Sequence, residues 1–210
     1  MSQHLSGSAP SILERAKGIV LSPKAEWPRI ADEETSSREV MTGYVAPMAL
    51  IGPVCGTIGT IVFGSGVLGT GPIARIYNPG IASAVVGAVV AFVLTIISVL
   101  LLALIADLLS SRFGGEQRSE AAFKLVGYSA TPAFLVGVFS LVPFLNVLSL
   151  LAFYGIYLIY TGASPMLGIP KERAGGFTAV LVALAFVMNL LVGAAVAGNM
   201  ALLAGMGLLG

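Results

Sequence analysis

Charged positions fall in a few short blocks along the chain, and long apolar stretches separate them. Residues 40–74, 76–106, 125–170 and 174–210 contain no Asp, Glu, Lys or Arg. A helix crossing a bilayer needs roughly 20 mostly apolar residues, so these stretches predict membrane spans rather than a soluble core. The first predicts a span over 43–63, closed by the glycine-rich segment 64–71. The second predicts a span over 80–106, ended by Asp107. The third is too long for one helix and divides at Pro143-Phe144-Leu145-Asn146 into spans over 121–142 and 147–162. The last predicts a span over 177–197 and leaves a short apolar tail at 201–210. The expected fold class is all-α: an irregular bundle of five transmembrane helices within 41–200, preceded by a short amphipathic cytoplasmic head at 1–40.

Cations test the count and choose the sides. With five spans, all of the 11 Lys and Arg residues except Arg75 share one side. Merging the third stretch into one span would move Lys171 and Arg173 across. The positive-inside rule then places the N-terminus in the cytoplasm and the C-terminus on the far side, periplasmic or lumenal. Polar residues fill the head ahead of the first apolar run, which is not the pattern of a secretory signal. Ser11 and Glu14 have capping-box spacing, and Ile12, Leu13, Ala16, Ile19 and Val20 then mark one helical face. Ser22-Pro23 offers a second helix start, and Ser36 with Glu39 a third, placing the start of the first membrane helix near Ser37. Trp27, the single tryptophan, is expected to anchor the head at the membrane surface.

Composition narrows the chemistry. Hydrophobic residues make up 57% and charged residues 10%, against about 25% charged in soluble domains. With one histidine, His4, and one cysteine, Cys55, neither a metal cluster nor a disulfide is expected, and no cofactor site is read. Cys55 reads as a small packing residue. A net charge of +1 without a basic run excludes nucleic acid as a partner. Gly64, Gly66 and Gly69 match Gly-x-Gly-x-x-Gly, but a membrane span precedes them and the next acidic residue is Asp107, so a dinucleotide site is rejected in favour of a loop. No serine within a span has a base near it in sequence, so an enzyme is not expected.

What the spans do contain is small residues and prolines. Gly52 and Gly56 in the first span, and Gly80, Ala84 and Ala88 in the second, keep the four-residue spacing that lets helices approach closely, within the chain or in a homo-oligomer. Pro47, Pro53, Pro132 and Pro143 each remove a backbone donor and bend or end a helix. Thr95, Ser98, Thr131, Ser140 and Asn189 are the polar groups at membrane depth. They serve interhelical hydrogen bonds or, in an alternative reading, a small-solute or lipid carrier working through kinked helices and Asn189.

The third span opens Gly127-Tyr128-Ser129-Ala130-Thr131-Pro132. This resembles the Gly-Tyr-x-x-x-Pro motif of the Yip family, the Ypt/Rab-GTPase-interacting integral membrane proteins, and the resemblance covers roughly 40–200. Pro23-Lys24-Ala25-Glu26-Trp27 in the head looks like the prokaryotic branch. The resemblance implies a five-span protein of a bacterial inner membrane that organises membrane or recruits partners at its cytoplasmic face, with lipids around it. Gly127, Tyr128 and Pro132 are then the motif residues expected to matter for a partner. Gly127 would permit close helix approach, Tyr128 would sit near the interface with its hydroxyl wet, and Pro132 would bend the helix. Eukaryotic members carry Asp-Leu-Tyr-Gly-Pro before the first span, where Gly43-Tyr44-Val45-Ala46-Pro47 matches only a Tyr and a Pro. That departure argues against a Rab-type GTPase as the partner.

Overall fold

The computed structural model describes residues 10–63, 67–68, 75–76 and 81–205. Two short helices form the head, α1 at Ile12–Leu21 and α2 at Pro23–Asp32. Five helices long and apolar enough to cross a membrane follow: span 1 at Ser37–Phe63, span 2 at Ile81–Phe113, span 3 at Ser119–Leu141, span 4 at Val147–Leu167 and span 5 at Lys171–Gly198. Both capping boxes form. Ser11 and Ser36 accept from the backbone N–H groups of Glu14 and Glu39, whose carboxylates accept from the cap N–H in return.

Proline and glycine account for the irregularities. Ahead of Pro47, residues Met41–Val45 widen into a π-turn, and the Ala46 N–H reaches back to the Met41 carbonyl. Span 3 breaks at Ala130, restarts with Pro132 in the first turn of Thr131–Val136, and tightens to 3-10 geometry at Gly137–Leu141. A further 3-10 segment, Pro143–Phe153, carries the chain through the turn into span 4. Gly114 and Gly168, both in the left-handed region, stop spans 2 and 4. The last helix continues past span 5 to Gly205, where a separate tail was expected. Between spans 1 and 2, Val67–Leu68 pairs antiparallel with Arg75–Ile76. Gly64, Gly66, Gly69 and Gly80 lie outside the described residues.

Span 3 is the hub. Spans 1, 2 and 4 pack on it, span 5 packs on spans 2 and 4, and the head packs on spans 3 and 4. Of span 3's membrane-length stretch 61% is buried inside the protein, against 6–22% for the other four. Outward residues such as Val93, Leu104, Val187 and Leu191 are exposed leucines and valines, as a lipid-facing surface requires. Small residues set the close crossing of spans 1 and 3. A Cβ on Gly137 would lie 2.7 Å from the Gly52 Cα, and one on Gly56 would lie 3.8 Å from the Ser140 Cβ. On span 2, Ala84 is buried and Ala88 half-buried.

The connections 2–3 and 4–5 meet at the head end of the bundle. The Glu116 N–H donates to the Leu167 carbonyl at 2.9 Å, and the Lys124 ammonium donates to the Glu33 carbonyl at 2.5 Å.

Candidate functional site at the head-to-bundle junction

The motif Gly127-Tyr128-x-x-Thr131-Pro132 explains itself through backbone accounting. Pro132 has no N–H to give the Tyr128 carbonyl, and the Thr131 hydroxyl supplies the missing donor at 2.6 Å. That proton is then committed. The Tyr44 hydroxyl, 2.8 Å from Thr131 Oγ1, must therefore be the donor in their contact. Tyr44 belongs to the Gly43–Pro47 segment, so residues far apart in sequence close one buried hydrogen-bonded chain. The two tyrosine rings meet edge to face at 4.8 Å. Gly127 makes this possible, since a Cβ there would lie 2.9 Å from the Val45 side chain. Tyr128 is 5% exposed. It was expected wet at the interface, but the head covers it.

Arg15 does the covering. Its guanidinium lies 5.3 Å from the centroid of the Tyr128 ring, in cation–π geometry. One nitrogen donates to Glu26 at 2.7 Å, and the other is paired with Glu33. Burial works against the Arg15 charge, but the Glu33 hydrogen bond and the surrounding Tyr128, Glu33 and Glu26 hold the guanidinium above its ordinary value. Arg15 was not singled out in the sequence, because α1 was read from its apolar positions alone. A cation between Ala16 and Ile12 on the buried face was the available signal.

Trp27 departs furthest from expectation. Rather than facing headgroups, the indole is 0% exposed and has no surface to offer lipid. It sits in a notch at Gly162, where an added Cβ would fall 2.7 Å from the indole and 2.5 Å from Leu125. Its N–H donates to the Thr161 hydroxyl at 3.2 Å. A buried indole needs such a partner. The Tyr154 hydroxyl donates to the Val20 carbonyl at 2.9 Å and ties α1 to span 4.

Two clefts open at the rim. One of about 120 Å³ runs from Pro10 and Ile12 past Arg15 and Glu33 to Tyr44 and Tyr128. The other, about 560 Å³, is lined by Glu33, Glu34, Arg118, Glu120, Lys124 and Met166. Among the described residues no group of three or more His, Cys, Asp or Glu side chains is placed to hold a metal.

The membrane-depth polar groups among the described residues bond locally or face outward. Thr95 and Ser98 return their hydroxyls to the Ala91 and Leu94 carbonyls, and Asn189 lies exposed on span 5. Cys55 is a half-buried free thiol.

A family model described as the Yip1 domain matches residues 17–205, taking in the second half of α1, α2 and all five spans. No curated protein and no solved structure matches the chain.

Proposed function

The chain belongs to the Yip1 domain family, and on that premise we propose that this integral membrane protein is a non-enzymatic scaffold or adaptor of the prokaryotic branch. It resides in the bacterial inner membrane and presents its head and the 2–3 and 4–5 connections to the cytoplasm. One observation carries the reading: the Tyr44 and Tyr128 segments and the head close on a single buried cluster, with clefts of mixed polar and apolar lining at its rim. Gly127, Tyr128 and Pro132 act there by shaping the docked head, whose rim meets a protein partner. Lipids surround the spans, and the small-residue face of Gly52 and Gly56 is taken up within the chain. The departure at Gly43–Pro47 argues against a Rab-type GTPase.

The test is recovery of tagged protein in native nanodiscs, with proteins and lipids identified by mass spectrometry, beside a Tyr128→Ala/Pro132→Ala variant that still inserts. A stoichiometric partner lost from the variant is the expected result. Unchanged recovery would remove the motif from the function, and a single co-purified solute or lipid without a protein would replace the adaptor by a carrier.

A further inference from the structure

The head sits lower in the bundle than its place before span 1 suggests. Val20 is held by Tyr154, more than three turns inside the Leu167 end of span 4. Arg15 covers Tyr128, more than two turns inside the Ser119 end of span 3. From Val20 the chain climbs along span 4, with Trp27 at Thr161 and Gly162, until the Glu33 carbonyl meets Lys124. Thus α1 lies deep and α2 rises from it.

Span lengths agree with that depth. At 1.5 Å per residue, span 2 is roughly 50 Å long, against a hydrocarbon core of roughly 30 Å. One or both of its ends must emerge. At the head end the helices bury Asp107, Ser110 and Lys124, the composition of a part outside hydrocarbon.

The outer face of α1 sets two large apolar side chains beside exposed Glu14 and Lys17. Leu13 is 71% and Leu21 77% exposed, with exposed Lys17 between them at four-residue spacing. Ala16 and Ile19 face the bundle, and Gly18 faces Glu26 of α2. The elements that α1 packs on also carry exposed apolar residues: Leu135 on the segment of span 3 against α1, and Phe153 and Tyr157 beside Tyr154, which holds Val20.

We propose that this stripe is a lipid-contact surface, so that the hydrocarbon boundary on the head side runs at α1 rather than at the ends of the spans. Leu13 and Leu21 enter the acyl-chain boundary, and Lys17 extends its stem along them to the phosphate headgroups.

The experiment uses the full chain carrying Cys55→Ser, in nanodiscs of phosphatidylcholine and phosphatidylglycerol. A nitroxide is placed in turn at Leu13→Cys, Leu21→Cys and, on the exposed end of α2, Asp32→Cys. Collision with oxygen, which concentrates among acyl chains, is compared with collision with a water-soluble nickel chelate. The expected result is dominance of oxygen at positions 13 and 21 and of nickel at 32. Nickel dominance at 13 and 21 would overturn the proposal, and so would shielding from both reagents, which would mean a protein cover. Unmodified protein gives a second reading: a lipid with a photoreactive group in its acyl chain should label the α1 peptide, and absence of label there with labelled spans would also refute it.

Discussion

Thr131 holds two obligations at one atom, and this makes it the most exacting residue of the motif. Thr131→Val removes the donor to the Tyr128 carbonyl and the acceptor for the Tyr44 hydroxyl, leaving both buried. At about 1–3 kcal/mol for each orphaned group the loss should be plain in denaturant unfolding followed by Trp27 emission, whereas Thr131→Ser should stay close to the parent. Arg15→Met leaves partly buried Glu33 without its cation and Glu26 with only exposed Arg29 at 3.7 Å; the loss should fall below the roughly 3–5 kcal/mol of a fully buried pair, and Trp27 should red-shift as the head detaches. Glu14 gives the pH dependence. The Ser11 backbone N–H, and then the Ser11 hydroxyl, hold its carboxyl below the ordinary 4.5. A lowered folded value means that the capping contribution is complete above 4.5 and is lost as pH falls through the folded value. Circular dichroism should register α1 fraying in that acid range, and Glu14→Gln should abolish this part of the profile. The capping boxes were legible because both partners lie three residues apart. The Trp27 notch was not, since it is built by Gly162 and Leu125 on two other helices.

At the level of elements, the bundle depends on where backbones touch. Gly137→Ala would drive a methyl to within 2.7 Å of the Gly52 Cα, where neither side has a flexible end to move. Overpacking of this kind costs about 1–3 kcal/mol. Gly193→Ala, with nothing within 4 Å, should be neutral or slightly stabilising through helix propensity. Thermal unfolding in detergent separates the two. The four-residue spacing of Gly52 and Gly56 announced a close helix face in the sequence. Its partner was hidden, because Gly137 belongs to a 3-10 segment whose register does not follow α-helical spacing. The five spans were readable for a simpler reason: charge cannot be left in hydrocarbon, so its absence marks each crossing.

For the whole molecule, sidedness is the claim with the most consequences. An activity reporter fused after Gly210 should work outside the cytoplasm. Activity confined to the cytoplasm would contradict the proposed orientation, and with it the assignment of the head and clefts to the cytoplasmic face. The packing of the head on spans 3 and 4 bears on how the protein is made. A ribosome delivers the head first, but the notch for Trp27 does not exist until Gly162 of span 4 has been synthesised and inserted. Span 3 reaches the membrane before span 4 and carries the least apolar of the five crossings, so its companions must arrive before its polar groups are shielded. Synthesis begins with the head, and assembly must nearly end with it: an undocked head would mark an unfinished bundle for as long as span 4 is missing.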